Sequence, residues 1–411
     1  MSTLSGRRTA GVQALRERSS GPKRWWASKW LIGLAVVVLV AAGGVVYAVS
    51  RHRPAALACG RGTQCSSPSN GSSKSPATDV AAHTLSVSST TPVTGASAVA
   101  SSTGITVRFS SALAPGSATP TLSPTVAGSW HVYKATDSMV FTPSAPFVPF
   151  TKYTVTVPGG QSGVAGAAGA HLRSSKTFSF TIANGSVDRL QELLAQLGYL
   201  PLSYTGTAPP PKDMAQPQAG TLSWMWQNLP QELTDLWVQG STNAITKGAV
   251  MMFETENGLT VDGVAGPQVW STLLADVASH KANTEPLTYV LVTKTTPEHL
   301  TAWVNGQLAF HDLPVNTGVK GATTTNGTFQ VFEHVKASRM SGTDVTGTKY
   351  TIPTVPWASY FNGGDALHGF PRAAYGFPQS NGCVEMPIAT AGKLWPYTPI
   401  GTLVTVIGPP A

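Results

Sequence analysis

The sequence predicts a multidomain chain in four parts: a transmembrane helix, a β-sandwich, a small three-helix domain and a β-rich C-terminal domain holding a histidine/cysteine pair. Three observations predict it. Residues 30–50 carry no charge. Apolar and polar residues alternate with period two in short runs over 105–181 and again over 289–407, as in half-buried strands. Between those stretches Val187, Leu190, Leu193, Leu194 and Leu197 fall at helical spacing, and Gly198 is placed to end the helix.

At ~1.5 Å rise per residue the uncharged span covers roughly 30 Å, the thickness of a bilayer's hydrocarbon core. Before it stand Arg7, Arg8, Arg16, Arg18, Lys23, Arg24 and Lys29 against the single acid Glu17. The positive-inside rule therefore makes residues 1–29 a cytoplasmic basic head and sends the rest of the chain outside the cell membrane, as a single-pass protein. Trp25, Trp26, Trp30 and Tyr47 sit where interfacial anchors belong. A cleaved leader would have a shorter apolar region and a small-residue exit, whereas this one runs into Arg51-His52-Arg53, so the span reads as retained. Residues 51–80 are rich in Ser, Pro, Asn and Gly and read as a flexible linker. They hold Cys59 and Cys65, which in an oxidising compartment pair as a disulfide, leaving Cys383 as the one unpaired thiol of three. The net charge of +8 is concentrated in the head and beside the span, so the exported part offers no basic stripe for nucleic acid.

Residues 81–183 supply the sandwich. Their strand-like runs at 105–109, 139–143, 153–157 and 177–181 are separated by turn residues. The segments TVRFS, VFTP and YTVTV occur in that order, and the stretch resembles the bacterial Ig-like family. With no cluster of titratable groups, it reads as a spacer.

Residues 184–278 form the helical part. After the first helix, Ala249, Val250 and Phe253 mark a second that stops near Asn257-Gly258, followed by GLTVDGVAG and Trp270. These motifs resemble the three-helix peptidoglycan-binding domain. The resemblance breaks in the middle, where residues 201–236, with Trp224, Trp226 and a Pro-rich start, replace a short turn.

Residues 286–408 carry the chemistry. Strand-like runs at 289–292, 300–304, 307–310, 326–332 and 401–407, with an Asn305-Gly306 hairpin turn, frame His368-Gly369 and, fifteen positions after the histidine, Cys383 in Ser380-Asn381-Gly382-Cys383. A cysteine attacks as thiolate and needs a base supplied from elsewhere in the fold, and a preceding glycine clears bulk from backbone donors that would hold an oxyanion. The pattern is that of thiol acyl transfer, with no cofactor: His299, His311 and His334 lack metal-ligand spacing.

The motifs NTG at 316–318, TTNGTF at 324–329, ALHG at 366–369, SNGCVEM at 380–386 and GTLVTV at 401–406 resemble the YkuD-like L,D-transpeptidase family over the whole domain. The resemblance implies a peptidoglycan cross-linking enzyme facing the cell wall. Cys383 is its nucleophile and His368 its general base and acid. The Gly369 backbone orients the histidine, the Gly382 and Cys383 amides form the oxyanion hole, and Ser380, Asn381, Tyr360 and Trp357 bind stem peptides. Two residues depart from the family pattern. Asn381 stands where a second histidine is usual, and Glu385 where Arg or Asn is usual, which places a negative charge near the thiolate. Asp365 reads as a solvated turn acid. A sortase would need an arginine after the cysteine, and none follows Cys383; NlpC/P60-type endopeptidases put cysteine first. The remaining competitor is a tethered peptidoglycan-binding scaffold whose departures have switched off the chemistry.

Overall fold

The computed structural model describes residues 84–206 and 213–409. The basic head, the apolar span, the linker and the Cys59–Cys65 pairing lie outside the described residues. Among the described residues no helix is long and apolar enough to cross a membrane.

The first domain is a sandwich of eight strands: β1 (Val87–Thr91), β2 (Ala96–Val99), β3 (Ile105–Phe109), β4 (Thr121–Ser123), β5 (Gly128–Tyr133), β6 (Ser138–Pro143), β7 (Lys152–Val157) and β8 (Lys176–Ile182). One sheet runs β1-β3-β6-β5 and the other β2-β8-β7-β4. Alternation sends Ile105, Val107 and Phe109 inward from one sheet and Tyr153, Val155 and Val157 from the other. Phe147 fills the middle, edge-on to Tyr153 and Phe180 at 4.8 and 5.7 Å.

The helical domain holds α1 (Val187–Gln196), the hairpin β9 (Leu202–Gly206) and β10 (Gly220–Trp224), the single turn α2 (Gln231–Thr234), α3 (Ala244–Glu256) and α4 (Pro267–Ser279). Ser186 caps α1 by accepting from the Arg189 amide, and Gly198 takes the left-handed conformation past its end, so the helix begins and ends where its sequence punctuation stands. The described parts of the insertion, residues 201–206 and 213–236, brace neighbouring domains. Its Asp213 accepts from the hydroxyl of Ser101 in the sandwich, and the Met214 amide donates back to that hydroxyl at 2.9 Å. At its other end Trp226 covers the Asn305-Gly306 turn so closely that a Cβ on Gly306 would lie 2.0 Å from the indole.

The C-terminal domain packs two sheets. β11 (Thr288–Thr293), β12 (His299–Val304), β13 (Gln307–Pro314), β14 (Gly327–Gln330) and the last strand build one, with β11 central. β15 (Glu333–Thr343), β16 (Lys349–Asn362), β17 (Asp365–Gly369) and β18 (Val384–Met386) build the other in that order, followed by α5 (Ile388–Leu394) and β19 (Leu403–Ile407), which pairs parallel with β11. The first sheet is covered on both faces. Val290, Val292, Val404 and Val406 point to the second sheet, while Tyr289, Leu291 and Leu403 join the core of the helical domain. That is why 289–292 reads as an unbroken apolar run.

The two domains meet at backbone distance. A Cβ on Gly248 of α3 would sit 2.5 Å from the Gly401 carbonyl oxygen, and Gln330 Nε2 donates to the Ala244 carbonyl at 3.1 Å. On a free helix Gly→Ala stabilises by roughly 1 kcal/mol. Here Gly248→Ala is expected to destabilise, because its methyl meets backbone that no rotamer change relieves. A denaturant midpoint for Gly248→Ala at or above the parent's would show that the contact imposes no such constraint.

Candidate active site

β17 and β18 are parallel neighbours, with Leu367 opposite Val384, His368 opposite Glu385 and Gly369 opposite Met386. Leu367 and Val384 face the core, so alternation turns His368 and Glu385 to the opposite face, and Cys383, one residue before Val384, falls on that same face. Residues fifteen apart in sequence thus face one cleft from adjacent strands, two register positions apart.

The turn entering β18 is held from within. Ser380 Oγ accepts from the Gly382 amide at 3.1 Å and donates to the Cys383 carbonyl at 2.6 Å. Ser380 is buried, and both of these hydroxyl bonds lie within the turn. Gly382 has φ +118, and a Cβ there would lie 2.4 Å from Asp365 Oδ1. Both facts demand glycine. Asp365, expected in a solvated turn, is instead half-buried beneath Gly382, and burial pushes its carboxyl above the usual range.

The Cys383 sulfur lies 3.5 Å from the Gly364 carbonyl, and the Ala366 amide donates to it. By surface area the residue is partly accessible, yet protein encloses it on most sides. Enclosure pushes the thiol up to about 12, with Asp365 and Glu385 adding to the rise and the Ala366 amide opposing it. His368 is buried, which lowers its pKa, and its Nδ1 stands 3.2 Å from the Gly369 carbonyl. With Nδ1–H donating there, Nε2 carries the lone pair. At neutral pH the pair is therefore a thiol and a neutral imidazole.

Glu385 does not confront the thiol as a bare charge. Arg372 from the β17–β18 connection grips it with Nε at 2.7 Å and Nη2 at 2.9 Å, while its guanidinium lies 4.7 Å over the Phe370 ring. Sequence reasoning missed Arg372, since nothing in its spacing ties it to Glu385.

These groups open into a cleft of about 590 Å³. Tyr360, Asn381, Phe370 and Arg372 line it beside the histidine and cysteine, and Arg339, Met340, Tyr350 and Ile352 of the β15–β16 hairpin line it from above. Tyr360 Oη bonds Ser338 Oγ at 2.7 Å. Trp357 stands elsewhere, packed near Trp395 with its Nε1 toward Gly392, and Phe361 is core. A separate apolar gap under Trp226 and Tyr289 is lined by no histidine, cysteine or acid. Among the described residues no group of three or more His, Cys, Asp or Glu is gathered to hold a metal ion.

Three family models match the chain. Residues 81–182 match the bacterial Ig-like domain, 231–273 the putative peptidoglycan binding domain, and 287–406 the L,D-transpeptidase catalytic domain, YkuD. The class is thus set by domain content, a catalytic domain of L,D-transpeptidase type behind an Ig-like and a peptidoglycan-binding-like domain. Among solved structures, an L,D-transpeptidase from Mycobacterium smegmatis is 13% identical, covers 79% of this chain and 99% of its own, and superposes with a TM-score of 0.28. The catalytic domain of the E. faecium L,D-transpeptidase is 23% identical over 30% of this chain and 100% of its own, with a TM-score of 0.27. The L,D-transpeptidase from Stackebrandtia nassauensis is 22% identical over 43% and 85%, with a TM-score of 0.24. A comparison with curated proteins finds no match.

Arg372→Met is expected to strand the Glu385 carboxylate beside His368. Arg372 holds the His368 pKa down and Glu385 raises it, so the variant's imidazole should titrate at higher pH. The broken pair should also cost roughly 2 kcal/mol of stability, discounted for the partial exposure of Arg372. Adding Glu385→Gln should reverse both effects. An unmoved His368 titration by NMR in Arg372→Met would remove the pair from the site's electrostatics.

Proposed function

We propose that the protein is a membrane-tethered L,D-transpeptidase that cross-links peptidoglycan through a thioester on Cys383. The observation that carries this reading is a neutral, Nδ1-anchored imidazole on the same strand face as a cysteine, inside the segment that matches the catalytic-domain family. The apolar span at 30–50 is the tether and the helical domain brings the wall within reach; both assignments belong to the proposal.

Because the thiol sits well above neutrality, attack runs through general-base catalysis rather than a standing thiolate. Cys383 Sγ attacks the carbonyl carbon of the bond between the third and fourth residues of a stem tetrapeptide. Its proton passes to His368 Nε2 as the C–S bond forms. The Gly382 amide, expected among the oxyanion donors, already donates to Ser380, so the oxyanion role falls to the Cys383 amide. Collapse breaks the C–N bond, His368 returns the proton to the leaving nitrogen, and D-alanine departs. An amine of a second stem then attacks the thioester carbon and loses its proton to His368; the C–S bond breaks, and His368 returns that proton to the sulfur, restoring the thiol. Asn381 and Tyr360 line the substrate's path.

The high thiol pKa also favours a second reading, a peptidoglycan-binding scaffold with an inert cysteine. Intact mass of the soluble part after exposure to a carbapenem, and separately to a stem tetrapeptide, separates the two. A single adduct that Cys383→Ala abolishes, with D-alanine released from the peptide, is the expected outcome. His368→Ala should slow adduct formation by about 10²- to 10⁴-fold. A folded parent that forms no adduct and releases no D-alanine would leave the scaffold.

A further inference from the structure

We propose that Thr324 is the positioning residue of the oxyanion site, acting through the Gly382–Cys383 peptide; this rests on the acyl-transfer reading above. Thr324 is fully buried and precedes β14 in a loop far from the nucleophile in sequence. Its Oγ1 donates to the Gly382 carbonyl at 2.6 Å and accepts from the Gly318 amide at 3.0 Å. In a planar trans peptide the carbonyl and the following N–H point in opposite directions. Fixing the Gly382 oxygen toward Thr324 therefore fixes the Cys383 N–H away from it.

This aim cannot be left to the turn alone. Gly382 sits at φ +118, in the region only glycine enters freely, so its peptide plane lacks the steric restraint a side chain gives. The hydroxyl also links dipoles in series, from Gly318 N–H through the Thr324 O–H to the Gly382 carbonyl and so to the Cys383 N–H. Each bond polarises the next, and the last donor is the one an oxyanion would meet.

Thr324 is itself held in place. Lys294 Nζ donates to its carbonyl at 3.0 Å. The segment that supplies the Gly318 amide is anchored by Glu298, which is buried and accepts from the Thr317 amide at 2.6 Å and the Thr317 hydroxyl at 2.7 Å. That segment also runs alongside the nucleophile turn: Asn316 exchanges both backbone bonds with Glu385 at 2.9 Å, the Thr317 carbonyl accepts from Ser380, and Val319 donates to the Ser380 carbonyl. A Cβ on Gly318 would lie 2.1 Å from the Ala322 oxygen, which excludes other residues there. The Asn316-Thr317-Gly318 motif thus acts as a template against which the nucleophile turn is set, and Thr324, bonded to its Gly318 amide, links that template to the Gly382 carbonyl.

Two reactions of the same sulfur test the assignment. Iodoacetamide alkylates Cys383 without forming an oxyanion, whereas acylation by a carbapenem passes through one. Thr324→Val keeps the shape and removes the donor; Thr324→Ser keeps the donor. Thr324→Val should lower the acylation rate by about 10²-fold, in the range seen when an oxyanion donor is lost, with alkylation unchanged, and Thr324→Ser should acylate like the parent. Equal loss of both reactions in Thr324→Val, or an acylation rate matching the parent's, would overturn the inference while leaving the transpeptidase reading intact. Loss of acylation in Thr324→Ser with alkylation retained would also overturn it, since the hydroxyl would then not be what matters. A parent that is alkylated but never acylated would overturn the transpeptidase reading and this inference together.

Discussion

The structure of the site depends on one short parallel pairing, β17 against β18. Parallel strands need a crossover, and here the crossover is the stretch from Phe370 to Cys383, which supplies Arg372 at one end and the Ser380–Cys383 turn at the other. Register does the rest. With Leu367 opposite Val384 committed to the core, a slip of one residue would bury Cys383 and expose Val384, so the apolar side chains hold the chemistry in place. The pair is specified by packing on the face where no chemistry occurs.

Around that pairing the polar side is satisfied group by group. Glu385 is neutralised by Arg372, Ser380 closes the turn on itself, and the Gly382 carbonyl is taken by Thr324. The enclosed position of Cys383 penalises its thiolate, and the lowered His368 pKa penalises the imidazolium. Both shifts push charge out of the resting pair, leaving a thiol and a neutral imidazole.

Much of the fold was legible because it repeats local rules. The alternation at 105–109 and 153–157 and the apolar run at 289–292 reappear as β3, β7 and β11, and the Ser186 and Gly198 punctuation bounds α1. The histidine and cysteine were legible because each needs a partner of the other's kind. The long β15–β16 hairpin was not, since Pro353 and Pro356 interrupt its second strand; they fall where β16 pairs with β15 alone. Arg372, Thr324 and Glu298 were not legible either. Polar residues carry no periodicity, and only the folded chain shows that Thr324 meets a carbonyl 58 residues away. Asp365 was misread because a loop glycine and an acid ordinarily mean water, whereas the vacant side-chain position of Gly382 admits its carboxyl.

The shared core of the helical domain and the five-stranded sheet bears on how the chain can be divided. Sequence families draw a border near residue 286, but Tyr289, Leu291, Trp303 and Leu403 belong to the core on the other side of it. A fragment starting at that border would present those four side chains to water on the face of an ordered sheet, a surface prone to self-association. The boundary that defines the domain in sequence is thus not the boundary of its packing.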